Sequence, residues 1–383
     1  MNRRSAEREP AARPSTPMHE AVRAAHTATR DTAEVLARRI YEHPELSDHE
    51  YRAADWCREV LGSAGFTVRN VADLPTAFVA EFTTNTKGPT IGLLAEYDAL
   101  PGIGHGCGHH LIAGSAVGAG LTLARLGDAF PGSVKVFGCP AEELLTGKAR
   151  LIGTGAFDGI DAALTFHAYH STSVMTGCMG LRTFELIFRG QRDTTADPWA
   201  GTNSLDGAAM AYREITALQP GVRVHRLETH GGDAFGGVPE RAACHVAVRA
   251  DSRPELESLA SAVLDCARRA ADTSGTTLEI VEGTRSEPIH YARPLGEAVR
   301  ANLLELGEEV VDWPALAFTD FGDVSELVPG ILFSVATWPE DVPFHTPAAQ
   351  EHSGKPGAFE AMHTGSLAMA LTAADLATSD IPL

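Results

Sequence analysis

The stretch Thr90–Leu111, TIGLLAEYDALPGIGHGCGHHL, constrains this chain more than any other. Ile91, Leu93 and Leu94 form a short apolar run behind Gly88-Pro89, as a buried strand does. The chain then turns through Asp98-Ala-Leu-Pro101 into a glycine-rich loop. That loop delivers Cys107, His109 and His110 within four positions, with His105 just ahead of them. From Leu111 the spacing becomes helical and rich in small residues, with Ala113, Val117, Leu121 and Ala124 in step. Strand, loop and helix make one βα unit, and the polar cluster falls at the carboxyl end of the strand, where open α/β sheets bind their ligands.

Taken alone, Cys107-Gly-His109 has two readings. One is a buried cysteine beside surface histidines, since free cysteines are common core residues. The other is a thiolate and an imidazole brought to one divalent ion by a tight turn at Gly108. Later strands decide between them. Ser133–Phe137 runs straight into Gly138-Cys-Pro-Ala-Glu142-Glu143, and Asp161–Phe166 ends in His167-Ala-Tyr-His170. Three strands that each end in potential ligands, all at the same end, are not explained by independent surface decoration. The metal reading therefore overtakes the structural one.

The remaining chain supplies the frame. At 383 residues it is long enough for two domains. Its 50 acidic against 31 basic residues, a net charge of −19, argue against a nucleic-acid or anionic-membrane surface. Cys57, Cys107, Cys139, Cys178, Cys244 and Cys266 show no framework spacing, which suits a reducing, cytoplasmic compartment. Residues 1–17 read as a disordered tail without the apolar core of a signal peptide. A helix is expected from Met18 to His43, with Val22, Val35, Leu36 and Ile40 inward, and Pro44 ends it. Ser47–Glu50 has the pattern of a capping box, followed by a helix carrying Tyr51, Ala54, Cys57 and Leu61. Between residues 181 and 291 the order of expected elements is βαββαβ, a ferredoxin-like α+β module. It interrupts an α/β domain made of 18–180 and 292–383, in which Pro294–Leu306 is helical, Ile331–Ala336 is a strand, His345-Thr-Pro follows it and His363–Leu376 is the last helix.

With these motifs in view the chain resembles the co-catalytic metallopeptidases and amidohydrolases that include aminoacylase, carboxypeptidase G and the auxin-conjugate amidohydrolases. Pro44-Glu-Leu-Ser, Ala95-Glu-Tyr-Asp-Ala-Leu-Pro101, His105-Gly-Cys-Gly-His109, Pro140-Ala-Glu-Glu143, Pro198-Trp-Ala-Gly, Thr319-Asp-Phe-Gly-Asp-Val-Ser325 and His345-Thr-Pro347 fall in the family's order. The Glu-Tyr-Asp-Ala-Leu-Pro wording is most similar to the branch of aminobenzoyl-glutamate hydrolases and Xaa-Arg dipeptidases. The resemblance implies a mixed-sheet α/β metallopeptidase domain of the phosphorylase/hydrolase-like class, with an inserted lid and dimerisation module. It implies that Cys107, His109, Glu143, His167 and His345 hold two divalent ions, zinc or manganese, with a water between them. It makes Glu142 the general base and puts Asp98 behind the ligands. His225 matches a lid histidine that serves the partner's site in a homodimer. Cys139, His105, His110 and His170 read as structural neighbours, with a substrate role as the alternative for His170.

Two positions depart from the pattern. Thr194 stands where relatives usually carry a histidine, and Gly236 where they carry an asparagine that grips substrate. The expected activity is hydrolysis of a small N-acyl amino acid or dipeptide-like amide. These departures keep open a pathway-specific hydrolase of an unusual amide. A catalytically silent binding protein is the third reading, and it would have lost a ligand or the base, whereas all are present.

Overall fold

The computed structural model describes residues 16–174, 177–191, 201–218, 220–231, 237–312, 318–378 and 381. These divide into two compact units, one drawn from 16–174, 290–312, 324–378 and 381, the other from 177–191, 201–218, 220–231, 237–289 and 318–323. Of the tail expected over 1–17, residues 1–15 lie outside the described residues; Thr16 caps the first helix by accepting from His19 N.

In chain order the first unit begins with helices α1 (Pro17–Tyr41) and α2 (Tyr51–Ser63). Strands β1 (Thr67–Val71), β2 (Leu74–Thr83) and β3 (Thr90–Glu96) follow, then α3 (His109–Leu126), β4 (Ser133–Cys139), α4 (Gly147–Gly153), β5 (Ala162–Tyr169) and β6 (Thr172–Val174). The second unit is β7 (Gly180–Arg189), α5 (Ser204–Thr216), β8 (Val222–Gly231), β9 (Pro239–Ala250), α6 (Arg253–Ser274) and β10 (Thr277–Ser286). The chain ends with α7 (Arg293–Glu305), β11 (Val310–Val311), α8 (Phe321–Ser325), β12 (Gly330–Ala336), α9 (Pro347–Ser353) and α10 (Pro356–Thr378).

The first unit is built on a mixed eight-stranded sheet in the order β1-β2-β4-β3-β5-β12-β6-β11. At its centre β4, β3, β5 and β12 are parallel, while β1, β2 and β6 pair antiparallel. Parallel register puts the carboxyl ends of the four central strands at one edge. Helix α3 lies between this sheet and α1 and α10, and every residue from His109 to Ala124 is buried. Its small residues let the neighbouring helices approach closely, so it has no polar face. The second unit has a four-stranded antiparallel sheet, β10-β7-β9-β8, with α5 and α6 covering one face through Phe184, Leu186, Phe188, Ala208, Val263 and Ala267. The β7-α5-β8-β9-α6-β10 order is the ferredoxin-like arrangement.

The structure corrects several local expectations. Val35 is 65% exposed, because the buried stripe of α1 runs through Val22, Ala25, Ala33, Leu36, Ala37 and Ile40, and a neighbour of Leu36 is rotated about 100° away from it. Tyr51 is exposed as well. The capping box does not form: Glu50 at the N-cap makes no side-chain cap bond. Glu45 caps α2 instead, accepting from the backbone N–H of Arg52 and Ala53 at 2.9 and 3.0 Å. Ser47 and Glu50 are thereby released for other work described below. The terminal helix starts at Pro356, ahead of the expected His363, since proline suits a first helical position.

Where α1 meets α10, His26 is buried with its Nε2 unpartnered, and its ring stands 5.9 Å from that of His363. Burial, then the charges of His363 and Arg30, lower its pKa from 6.5 to about 4. Above pH 6.5 the ring is neutral whether the chain is folded or not. Between 6.5 and 4 only the unfolded chain takes the proton, so stability is lost as pH falls through that window. In thermal melts across pH 4–7, His26→Gln is expected to reduce this acid loss by about 3 kcal/mol, from about 1.4 kcal/mol per pKa unit over the shift from 6.5 to about 4. An unchanged pH profile would remove His26 from the account.

Candidate metal centre

The site forms at the carboxyl ends of β3, β4 and β5. After β3, the loop to α3 turns at Gly108, whose φ is +86° and whose position leaves no room for a Cβ: one would lie 2.8 Å from Ala168 Cβ. Only glycine fits this close approach. The turn sets Cys107 and His109 on the same side. After β4, Glu142 and Glu143 sit in a single 3-10 turn flanked by Ala141 and Leu145, both with φ near +54°. Non-glycine residues in that conformation are strained and persist where surroundings hold them. Here the support is Glu50, which accepts from Ala141 N at 2.8 Å, and whose carboxyl burial pushes up to about 7. Gly147 closes the loop: a Cβ there would strike the Pro140 carbonyl oxygen at 1.6 Å. His345, also at positive φ (+58°), hangs its backbone N–H on Gly106 O at 3.2 Å.

These segments bring the expected side chains together. Cys107 Sγ is 3.7 Å from His167 Nε2, and His345 Nε2 is 3.6 Å from Glu143 Oε2. Cys107, His109 and His167 offer donor atoms within 4.8 Å of one another, as do Cys107, Glu143 and His345. Cys107 belongs to both groups. Asp98 lies behind them: its Oδ1 accepts from His109 Nδ1 at 2.8 Å, and its Oδ2 accepts from Ser47 Oγ at 2.7 Å and Glu143 N at 3.0 Å. Burial would raise its carboxyl pKa, but His109 and these donors outweigh burial and hold it at about 2. Asp98 therefore accepts only, which fixes the His109 tautomer and leaves Nε2 facing the site. His167 is oriented in the same way, Nδ1 donating to Ala168 O at 2.7 Å. Burial lowers its pKa to about 4, so it presents a neutral imidazole.

The electrostatics call for a cation. His109 Nε2 is surrounded by carboxylate oxygens of Glu142 at 3.6 Å, Glu143 at 3.8 Å and Glu96 at 3.8 Å. His109 Nε2 and Glu143 Oε1 are buried with no hydrogen-bond partner. Burial lowers the basicity of His109, yet Cys107 and Asp98 overcome it and hold the ring well above its ordinary pKa; the Cys107 thiol is pushed up by burial. A divalent ion would satisfy all of these groups at once, displacing the Cys107 thiol proton and the His109 Nε2 proton as it binds. The donor set, one thiolate, three imidazoles and a carboxylate, fits such an ion.

Two residues of the site escaped sequence reasoning. Glu96, the last residue of β3, is 1% exposed and pairs through Oε1 with Lys148 Nζ at 2.6 Å. Lys148, on α4, has a fully buried side chain. A glutamate two positions before Asp98 and a lysine five after Glu143 were visible, but nothing along the chain indicated that they meet. Phe344 forms a wall beside the donors, with its ring 5.8 Å from that of His167 and 6.1 Å from that of His345, stacked on Tyr169 at 4.9 Å and edge-on to Trp338 at 5.2 Å.

His105 and His110 turn away to the Ile40 and Ser353 carbonyl oxygens, at 3.2 and 3.0 Å, and His170 packs on Tyr169. His225 belongs to the second unit, exposed on β8 at a break in register between Val224 and Arg226. Thr194 and Gly236 lie outside the described residues. Glu185, Glu228 and His245 of the second unit also approach one another, but Arg241 already ion-pairs with both glutamates.

Among known proteins, the sequence profile of peptidase family M20/M25/M40 matches residues 92–358. The chain is 34% identical to the Xaa-Arg dipeptidase of Mus musculus over 371 residues, covering 89% of this chain and 84% of that protein. It is 32% identical to a chain of the p-aminobenzoyl-glutamate hydrolase of Escherichia coli over 275 residues, 64% of this chain and 56% of that one. A dinuclear metal-binding M20 peptidase from Bacillus subtilis has the same fold, with a TM-score of 0.70 at 22% identity over 90% of this chain and 98% of its own.

Proposed function

Because the chain belongs to peptidase family M20/M25/M40, we propose that Cys107, His109, Glu143, His167 and His345 hold two divalent ions and that Glu142 is the general base of an amide hydrolase. The single observation that carries this reading is the convergence of two donor groups on one shared thiol, Cys107, at the ends of parallel strands. The substrate class is a small dipeptide or N-acyl amino acid, as the names of the dipeptidase, aminobenzoyl-glutamate hydrolase and N-acetylcysteine deacetylase relatives suggest. An apolar part of that substrate would lie against Phe344.

Bound to these residues, the ions would supply Lewis acidity to the scissile carbonyl and acidify the attacking water. The protein's own groups do the rest. Glu142, buried beside His109, takes the proton from the attacking water and hands it to the leaving nitrogen, so that one amide and one water become an acid and an amine. Asp98 keeps the His109 ring in place and, through Glu143 N, ties the base-bearing turn to β3. Mixed thiolate, imidazole and carboxylate donors suit zinc or manganese over calcium or magnesium. Elemental analysis of loaded protein is expected to give about two ions per chain, with hydrolysis of a panel of N-acyl amino acids and dipeptides lost in chelator and restored by metal. Protein that takes up no ion and hydrolyses no amide under any loading condition ends this reading.

The second unit would serve as lid and dimerisation module over residues 181–291, with His225 acting in the partner's site. Supporting this, β8 is an edge strand, and Leu227 on it and Met210 and Tyr212 on α5 are exposed. Exposed edges of this kind pair with other chains. Light scattering of active protein is expected to give a dimer; a monomer refutes this part alone. Among the described residues no helix is long and apolar enough to cross a membrane, and a cytoplasmic location is proposed from six cysteines that show no disulfide-framework spacing along the chain.

A further inference from the structure

Glu96 has the position of a metal ligand without being one of the five. Its carboxylate is buried at the end of β3, next to β4 in register with Cys139. Its Oε2 lies 3.8 Å from His109 Nε2, and Glu96, His109 and Glu142 offer donor atoms within 4.8 Å of one another, as the two ligand groups do. What distinguishes Glu96 from Glu143 is its partner. Glu143 Oε1 is buried without one, whereas Glu96 Oε1 meets the Lys148 ammonium at 2.6 Å. Lys148 sits directly after Gly147, whose close approach to Pro140 holds α4 against the turn that carries Glu142 and Glu143. The ammonium is therefore delivered to Glu96 by the same segment that delivers the base.

We propose that Lys148 is a positioning residue that withholds Glu96 from the metal centre. This rests on the two-ion reading given above. A catalytic ion must keep an open position for substrate and water, and a structural one does not. A sixth protein donor beside His109 would fill that position. By holding one oxygen and the charge of Glu96 at the strand end, Lys148 leaves the ion at His109 open. A buried carboxylate deprived of its counterion seeks another cation, and here the nearest is the ion itself. Lys148 thus trades affinity for turnover at this one ion.

The test is a zinc titration against a chromophoric chelator, with kcat and KM measured on the same preparations. Lys148→Met keeps the stem and removes the charge. It is expected to bind one of the two ions at least about tenfold more tightly, within the 10- to 100-fold range of changes around metal ligands, and to lose kcat with little change in KM. Lys148→Gln, which keeps a hydrogen-bonding end, is expected to shift in the same direction by less, and serves if Lys148→Met does not fold. Adding Glu96→Gln to either variant removes the recruited donor, so affinity is expected to return towards that of the wild type and kcat to recover in part. Variants that hold both ions as the wild type does, or that hold them more weakly, overturn the inference while leaving the two-ion reading intact. A wild type that takes up no zinc overturns the two-ion reading, and this inference with it.

Discussion

Glu142→Gln is expected to hold both ions, melt close to the wild-type temperature and turn over about 10²- to 10⁴-fold more slowly, the usual contribution of a positioned general base. The substitution keeps the shape of the side chain and removes its ability to accept a proton. Glu142 belongs to neither of the two groups centred on Cys107, so its loss leaves those donors intact. KM should change much less than kcat, because the missing interaction is made in the transition state and hardly at all in the bound substrate. The neighbouring substitution provides the contrast. Glu142 and Glu143 share one 3-10 turn, and Glu143 places Oε1 3.8 Å from His109 Nε2 and Oε2 3.6 Å from His345 Nε2. An active Glu142→Gln together with an inactive Glu143→Gln that keeps both metals would reverse the two roles.

Cys107→Ala is expected to be the most damaging change to metal binding, and Glu143→Ala to do about half as much in stoichiometry. Cys107 is common to the His109–His167 group and the Glu143–His345 group, so removing its sulfur takes a donor from both ions. Glu143 contributes to the second group only. After dialysis and elemental analysis, Cys107→Ala should retain neither ion and Glu143→Ala one. Activity in Cys107→Ala should fall with the metal. In Glu143→Ala excess metal should restore part of it, because His345 and Cys107 still mark the position. The loss of affinity should exceed the 10- to 100-fold typical of outer-shell partners. Retention of two ions by Cys107→Ala would mean that the thiol is not shared and that the two groups are held by other donors.

The same residues show how far a linear reading reaches. Cys107, His109, Glu143 and His167 stand out as candidate donors because three expected strands lead into them and the family resemblance names them, although β5 runs on through His167 to Tyr169 and Cys107 lies in the loop between β3 and α3. Register among β4, β3 and β5 then brings them together without further instruction. His345 was within reach through its motif, although its placement depends on a backbone conformation that histidine rarely adopts. Ser47 and Glu50 were misjudged for a physical reason. A serine followed three residues later by a glutamate satisfies a helix end equally well on paper, but Glu45 reached the free N–H groups of α2 first. The two side chains were left to hold Asp98 and the strained Ala141.

What the sequence by itself determined was the βα unit around the glycine-rich loop, the inserted βαββαβ module and a set of candidate donors. All of these are local properties, or local properties repeated at successive strand ends. Only the tertiary structure decided which buried charges meet. Glu96 and Lys148 are 52 positions apart and belong to no shared pattern, and Asp98 reaches Ser47 across 51. In water such charges have no reason to pair. Once the sheet and α4 close over them, an unpaired charge is too costly to bury, so the contacts are chosen by burial and not by proximity along the chain.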